Sequence, residues 1–323
     1  MIPSIKNNIL FGHNEVCKIF LDAHNAGRMH HAWLACGPSS IGKATLVYKF
    51  AKFLLHFPSC PLKGLDIIDS HPIVKKIESL SHPDFMNIDA EYTKEEPKKT
   101  PLITVDEIRE SINFLRLTAL ESKYKVVVVN GADKMNINAS NAMLKILEEP
   151  PKNAVIFLIS DSISNIAPTI RSRCLRLKFH HLPLKDFAYA LQLNLSALQE
   201  SEIAILYDHT SGNLKLSIAL LEQNGLELLK ELRELLDTPS IHMLLKFAEK
   251  LQIDQENWPI LKHLMLHVWM EKIRKMPINH AGLADSISHI HTLNKGLYDA
   301  DMMHLDKQHV LLSNFISLQN GTL

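Results

Sequence analysis

Continuous apolar runs alternate with amphipathic stretches over the first 180 residues of the chain. The runs HAWLACG (31–37), YKVVVVN (124–130) and AVIFLIS (154–160) carry almost no charge and are bounded by turn residues. Such runs are typical of strands that helices cover on both faces of a parallel sheet. LRLKF (175–179) predicts a further short strand. The pattern therefore predicts an α/β domain over residues 1–180.

The stretches between these runs have apolar residues at helical spacing. In ITVDEIRESINFL, Thr104 and Glu107 fit a capping box, and Ile108, Ile112 and Leu115 form the apolar stripe. The other predicted helices cover residues 15–27, 44–57 and 138–149. Residues 57–100 are less regular, and the charged, proline-broken run 92–101 predicts an exposed loop.

From about residue 181 the alternation ends and only helical patterns remain. Residues 181–238 predict a small helical domain with a turn at Ser211 and Gly212, and residues 239–323 predict a second one. The clearest helix of the second is WPILKHLMLHVWMEKI (258–273). Its apolar residues have two interpretations, domain core or a patch for subunit contact: Trp258, Leu261, Leu264, Met265, Val268 and Trp269.

Composition excludes several classes of protein. The formal net charge is zero, so no global field draws the chain to nucleic acid or to an anionic membrane. The four cysteines do not share metal-ligand spacing, which predicts no zinc site and a reducing cytoplasm. The polar N-terminus and the absence of a long apolar run predict neither a signal peptide nor a membrane span.

CGPSSIGKAT (36–45) has the G-x-x-x-x-G-K spacing of a phosphate-binding loop, from Gly37 through Gly42 to Lys43. It lies between a predicted strand and a predicted helix, which is the context that a P-loop needs. The next residue should carry a hydroxyl for Mg²⁺, but it is Ala44. Thr45 lies about 100° further round the helix, so we do not expect it to replace that ligand.

A second ATPase element is also altered. P-loop enzymes place an Asp for Mg²⁺ at the end of the strand that YKVVVVN would form, and many add a Glu for the attacking water. Here the positions are Asn130 and Gly131. Asp133 comes after the strand, where we expect it to cap the following turn. Two altered positions predict weak or absent ATP hydrolysis, because each contribution is worth orders of magnitude in rate.

Arg173 lies in a turn just before the last strand, within IRSRC (170–174). It has two interpretations: a plain surface charge, or a finger that reaches into a neighbouring subunit's nucleotide. Such a finger can raise a rate by about 10³ or more.

Four stretches together resemble the clamp-loader branch of the AAA+ ATPases. They are HAWLACGPSSIGKATL, ITVDEIRE, NASNAMLKILEEPP and APTIRSRCLRL, and the spacing of the last two is highly specific. The altered nucleotide motifs narrow the match to the stator subunits in the loader of bacterial DNA polymerase III. The resemblance implies an AAA+ (RecA-like) P-loop domain, an all-α lid and an all-α C-terminal collar domain.

The resemblance also implies a role. Such loaders are five-subunit rings that use ATP to open a sliding clamp and place it on primed DNA. A stator keeps the fold, lacks effective hydrolysis and supplies an arginine, here Arg173, to the adjacent motor subunit. The implied partners are the motor (gamma/tau) and delta subunits, the clamp and primed DNA. Residues that match the subunit boundary are Asn141, Glu148, Glu149, Ser172, Arg173 and Cys174.

The chain departs from the family pattern in two ways. Many relatives carry a four-cysteine zinc module after the P-loop helix, but here that region holds only Cys60. Active members place an arginine in the lid as G-x-x-R, whereas Gly212 is followed by Lys215, which keeps the charge but lacks the planar fork. Gly37, Gly42, Lys43, Thr45 and Lys215 therefore form a degenerate nucleotide site. Binding of ATP or ADP without hydrolysis remains an alternative.

Two rival functions remain at this stage. The first is a true ATPase in which Thr45 or water replaces the lost ligand and Asp133 acts as the base. The second is a DNA-binding or repair scaffold of the same fold, against which the zero net charge argues mildly.

Overall fold

The computed structural model describes most of the chain. The described residues are 4–7, 9–56, 65, 71–91, 102–195, 198–222, 225–237, 242–243, 246–247, 258–277, 282–302, 306–307, 309–310 and 312–313. They belong to two compact units, Met1–Ala197 and Leu198–Leu323, and each is described by itself. The predicted division at residues 180 and 238 remains a prediction, and the helix after residue 183 belongs to the first unit.

The first unit alternates strands and helices. In chain order its elements are α1 (Asn14–Asn25), β1 (Ala32–Cys36), α2 (Lys43–His56), α3 (Pro72–Glu78), β2 (Phe85–Asp89), α4 (Val105–Arg116), β3 (Lys125–Asn130), α5 (Ile137–Glu148), β4 (Ala154–Ser160), α6 (Pro168–Arg171), β5 (Leu175–Lys178) and α7 (Leu184–Asn194). Short 3₁₀ turns cover Ala132–Lys134 and Ile163–Asn165. The predicted α/β P-loop domain is confirmed.

The five strands form one parallel sheet in the order β2-β3-β4-β1-β5. The register aligns Trp33 of β1 with Phe157 of β4 on one side and with Leu175 of β5 on the other. The three central strands are buried along nearly their whole length, as their continuous apolar runs predict. The two edge strands are only partly buried.

Helices cover both faces of the sheet because successive strand residues point to opposite sides. On one face, α1 and α2 pack on Trp33, Val126, Val128 and Phe157. On the other, α4, α5 and α6 pack on the alternate residues of the same strands, such as Leu34. Each fully buried large side chain contributes about 1.5–3 kcal/mol to folding. The two apolar layers therefore fix the sheet between the helices.

Several local predictions are confirmed. The Thr104 hydroxyl accepts the Glu107 N–H, and the Glu107 carboxylate accepts the Thr104 N–H, so α4 begins with a full capping box. Ser211 and Gly212 have φ of 50° and 78°, and they turn the chain between two helices. The apolar residues of α1 are not all buried, because Ile19 is 46% exposed whereas Val16 and Phe20 are buried.

The region that the sequence pattern described least well contains two elements, α3 and β2. His71 caps α3 by accepting the Ile73 N–H through its ring. β2 is an edge strand whose polar, only partly buried positions interrupt its apolar pattern, so the sequence resembles that of a loop. The loop predicted at 92–101, and Cys60, lie outside the described residues.

The second unit is helical where it is described, as predicted. Its helices are α8 (Glu200–Thr210), α9 (Leu214–Glu222), α10 (Gly225–Asp237), α11 (Trp258–Lys275) and α12 (Leu283–Met302). Within the described ranges, no helix combines the length and the apolar character that crossing a membrane requires.

The apolar residues of α11 are domain core, so their interpretation as a contact patch is wrong. Their exposures are between 0% and 5%: Trp258, Leu261, Leu264, Met265, Val268 and Trp269. They face α10 and α12, against which α11 packs. Because these side chains are already covered within the unit, they offer no apolar surface to another subunit.

A buried carboxylate ties the segment before β3 to the start of β2. The Asp84 side chain is fully buried and accepts the backbone N–H groups of Leu120, Glu121 and Ser122 at 2.7–2.9 Å. Lys125 Nζ lies 3.5 Å from its Oδ1. These hydrogen bonds keep the pKa of the Asp84 carboxyl below its usual value, against the opposing effect of burial.

We expect Asp84→Asn to destabilise the chain by about 3 kcal/mol, because the neutral amide loses charge-assisted bonds and leaves Lys125 without its carboxylate partner. The measurement is urea unfolding of both proteins between pH 3 and 7. A lowered folded-state pKa gives stability above the ordinary carboxyl pKa, and that stability is lost as the pH falls. The difference between the proteins should thus shrink below about pH 4. A pH-independent difference would contradict the assignment to the Asp84 charge.

Candidate functional site

The predicted phosphate loop follows β1 at the carboxyl edge of the sheet, and Lys43 begins α2. Gly42 has φ of 98°, a left-handed conformation that favours glycine. A Cβ atom at Gly37 would lie 2.3 Å from the backbone oxygen of Phe179, just after β5. Glycine at position 37 is thus required by close contact with the neighbouring strand, in addition to any contact with phosphate.

The P-loop lysine is bound by groups of its own chain. Lys43 Nζ donates to the carbonyl oxygens of Gly37, at 2.9 Å, and Pro38, and it pairs with Asp161 Oδ1 at 2.7 Å. The Lys43 side chain is 3% exposed, while that of Asp161 is 59% exposed. The positive charge that would attract a phosphate is therefore already neutralised by a carboxylate on the rim of the loop.

Asp161 follows β4, the strand next to β1 in the sheet. Parallel neighbours end at the same edge, which brings Asp161 to the P-loop across 118 residues of sequence. Sequence reasoning missed this residue. The signal that could have found it is its place directly after AVIFLIS, a predicted central strand.

The end of β3 carries an amide where an ATPase has an acid. Asn130 Nδ2 donates to Asp89 Oδ2 at 2.8 Å, at the end of β2. Asp89 is an acid on this edge, but β2 lies three strand positions from β1. At roughly 4.8 Å per strand, it is about 14 Å from the P-loop, too far to share one Mg²⁺ with phosphates bound there.

Asp133 does not cap the turn after β3, so that prediction is wrong. The 3₁₀ turn is preceded by Gly131 and has no side-chain cap. Asp133 instead lies within the turn, and its Oδ2 is 3.7 Å from Lys134 Nζ. The tight turn at Gly131, with φ of 84°, closes through a bond from the Lys134 N–H to the Gly131 carbonyl.

His13 is a further residue at the P-loop that sequence reasoning missed. Its Nε2 lies 2.7 Å from the carbonyl oxygen of Ile41, and its ring packs edge-on to Phe179. Because a carbonyl only accepts, Nε2 carries the proton. Burial lowers the pKa of His13, with Lys43 acting in the same direction. A neutral histidine thus fixes the loop between Gly37 and Gly42.

The predicted boundary residues lie on α5 and around α6. Arg173 Nη2 pairs with Glu148 Oε1 at 2.7 Å, and Nη1 donates to the Thr169 carbonyl at 2.9 Å. Asn141 and Glu149 are exposed on the same helix and just after it. The structure thus brings Arg173 and Glu148, from the two most specific motifs, into direct contact.

The remaining predicted residues are more dispersed. Ser172 is exposed and donates to the Thr169 carbonyl. Cys174 is 8% exposed, and burial raises the pKa of its thiol to about 12, so it stays protonated and packs as an apolar group. Thr45 is buried in α2, and Lys215 is exposed on α9 of the second unit.

Arg173 and the P-loop lie at opposite edges of the sheet. β5 runs parallel to β1 with Leu175 beside Trp33, so Arg173, two residues earlier, is level with His31. Gly37 follows the other end of β1. Six residues at about 3.3 Å each separate these levels by roughly 20 Å. An arginine side chain extends much less than this, so Arg173 cannot contact a phosphate in its own P-loop.

Comparison with known protein families gives one matching model. The family described as "DNA polymerase III, delta subunit" matches residues 12–183, which is more than half of the chain. This range includes the P-loop, Asn130, Glu148 and Arg173, and it confirms the resemblance drawn from the motifs.

Individual relatives agree with this family. The chain is 34% identical over 171 residues to the DNA polymerase III subunit delta' of Pseudomonas aeruginosa, covering 53% of this chain and 48% of the relative. It is 29% identical over 220 residues to the subunit gamma of Buchnera aphidicola from Schizaphis graminum, covering 66% and 56%. The chain thus spans about half the length of the relatives it matches.

Among solved structures, a DNA polymerase III gamma subunit-related protein from Thermotoga maritima is 19% identical to this chain. The superposition covers 92% of this chain and 96% of that one, with a TM-score of 0.43.

We expect Asp161→Ala to raise the affinity of the chain for ATP or ADP, because it frees Lys43 from a competing carboxylate. The pair is open to solvent on one side, so its loss is worth about 1 kcal/mol, or roughly fivefold in affinity. Titration of a fluorescent ADP analogue, with and without Mg²⁺, measures the change.

Asp89→Ala is the matched control, because it removes a carboxylate from the same sheet edge three strands away and should leave the affinity unchanged. An equal gain in nucleotide affinity in Asp161→Ala and Asp89→Ala would show a general effect of charge. No gain in Asp161→Ala would mean that the ion pair does not restrict the site.

Proposed function

The chain belongs to the DNA polymerase III delta subunit family, and on that premise we propose that it is a non-hydrolysing subunit of the clamp loader. In this role it helps a ring of ATPase subunits to place a sliding clamp on primed DNA. It supplies Arg173 to the ATP site of a neighbouring motor subunit. The proposed partners are the motor (gamma/tau) and delta subunits, with clamp and DNA contacted by the assembled ring.

The geometry at the carboxyl edge of the sheet supports a P-loop domain that keeps its fold but does not hydrolyse ATP. Ala44 offers no hydroxyl for Mg²⁺, Asn130 replaces the acid at the end of β3, and Lys43 is paired with Asp161. Without a metal ligand and a base, neither the leaving phosphate nor the attacking water is stabilised. ATP or ADP bound at this loop without hydrolysis is compatible with these residues once Lys43 releases Asp161.

The separation of Arg173 from its own P-loop is the observation that carries the proposal. Arg173 lies at the amino edge of the sheet, about 20 Å along the strand direction from Gly37. An arginine there has no role in its own nucleotide site, whereas a subunit docked against this edge would bring phosphates within reach. Glu148 holds the Arg173 guanidinium near the surface, and the Arg173 side chain is 35% exposed.

The ion pair with Glu148 offers a competing explanation in which Arg173 only stabilises the contact between α5 and α6. Exposed pairs of this kind contribute about 0–1 kcal/mol. The two explanations differ in what they expect of Glu148. An arginine finger acts without its resting partner, whereas a structural pair needs both members.

The test is a reconstituted loader of this chain with the motor and delta subunits, the clamp and primed DNA, in which ATP turnover is measured. Arg173→Ala should reduce the ATP turnover of the loader by the amount that the neighbouring ATP site contributes. An arginine finger raises the rate at the site it serves by about 10³ or more. Arg173→Lys should restore little, because lysine lacks the planar fork. Glu148→Ala should retain activity, and so should Lys43→Ala.

Arg109→Ala is the matched control, because Arg109 is also a surface arginine in an ion pair, with Asp106 at 3.1 Å. Equal losses in Arg173→Ala and Glu148→Ala would contradict the finger and favour the structural pair. Turnover by this chain alone, abolished in Lys43→Ala, would show an active ATPase instead. Salt-sensitive binding of the lone chain to primed DNA would favour the scaffold function.

A further inference from the structure

A cluster of histidines lies in the second unit. Asp208 and His209 lie in the last turn of α8. On α11, His263, His267 and Glu271 follow one another at intervals of four residues. Residues at this spacing share one face of a helix. His209 and His267 meet across the two helices, with ring centroids 4.6 Å apart and planes at 85°.

Two ring nitrogens in this cluster lack the partners that buried polar atoms normally have. His209 Nδ1 and His267 Nε2 are both shielded from solvent and make no hydrogen bond, and His209 is 3% exposed as a residue. An unsatisfied buried polar group costs about 1–3 kcal/mol. Two such groups side by side call for an explanation, and a shared ligand would satisfy both.

The positions of the side chains suit a metal ion. One ligand atom from each of Asp208, His209 and His267 lies within 4.8 Å of the others. Tetrahedral coordination at about 2.1 Å places ligand atoms roughly 3.4 Å apart. Asp208 is exposed and can approach by rotating its side chain. The cluster therefore needs a small side-chain closure around an ion and no rearrangement of the two helices.

The charges around the cluster also favour a cation. Two carboxylates, Asp208 and Glu271, and one guanidinium, Arg233, face the imidazoles. Arg233 Nη2 pairs with Glu271 Oε2 at 2.7 Å and lies 3.4 Å from His209 Nε2. The ion pair with Glu271 neutralises the charge of the Arg233 guanidinium. Asp208 is then left as the uncompensated charge beside the two rings.

His263 holds the cluster in place. Its Nε2 lies 3.0 Å from the His209 carbonyl and donates to it, which ties the end of α8 to α11. Burial lowers the pKa of His267 and lowers that of His209 to about 4.

We propose that Asp208, His209 and His267 form a site for a divalent transition-metal ion such as Zn²⁺. Two imidazoles and one carboxylate suit zinc, and also cobalt and nickel, better than the oxygen-seeking Mg²⁺ and Ca²⁺. The ion would join α8 to α11 and would leave a fourth position for water or another ligand. The site uses histidines and a carboxylate and is separate from the cysteine module that this chain lacks.

The test uses the full chain, stripped with a chelator and titrated with Zn²⁺ against a chromophoric competitor. One equivalent should bind, and Co²⁺ should give visible d–d absorption on the same protein. His267→Gln, His209→Gln and Asp208→Asn should each weaken Zn²⁺ binding at least about tenfold and reduce the Co²⁺ band. A large excess of Mg²⁺ should not compete.

His291→Gln is the matched control, since His291 is exposed on α12, and it should bind zinc like the original chain. Circular dichroism checks that each variant is folded. Asp208 is exposed, so Asp208→Asn tests the site even if a buried histidine variant unfolds. Equal zinc affinity in the original chain and folded Asp208→Asn would overturn the proposal, and so would an equal loss in His291→Gln.

Discussion

The common direction of the five strands is the constraint on which the first unit depends. In a parallel sheet all carboxyl ends meet at one edge and all amino ends at the other. The P-loop, Asp161, Asn130 and Asp89 therefore share one edge. Arg173, which precedes β5, lies at the other. This separation removes Arg173 from its own nucleotide loop and is the physical reason for the proposal that it serves a neighbouring subunit.

At the carboxyl edge, the P-loop lysine is held by groups of its own chain. A buried lysine needs a compensating charge or strong acceptors, because burying an isolated cation is costly. Here the acceptors are two loop carbonyls and Asp161. The same interactions stabilise the loop shape and reduce its attraction for phosphate. The proposed loss of turnover would therefore leave the shape of the loop intact.

In the second unit, two buried polar atoms of neighbouring histidines are unsatisfied. Its apolar residues explain the packing of α11, but His209 Nδ1 and His267 Nε2 remain without partners. Cysteine spacing gives no indication of this cluster. His209 and His267 are 58 residues apart in the sequence, so they form no local motif. Only packing of the helices brings them together.

The sequence by itself determined the local structure of the first unit. Continuous apolar runs identified the central strands, the capping box identified the start of α4, and the glycine spacing placed the P-loop. The residue types at Ala44 and Asn130 also suggested weak hydrolysis without any coordinates. β2 was missed because an edge strand is only half buried and its pattern is interrupted.

Only the tertiary structure decided which distant side chains meet. It paired Lys43 with Asp161 and Arg173 with Glu148, and it corrected the role given to Asp133. It also assigned the apolar residues of α11 to the core, where periodicity alone could not tell a core face from a contact face. Local pattern reflects the burial and backbone preference of each segment. Contacts between segments depend on strand order and helix packing, which no single segment encodes.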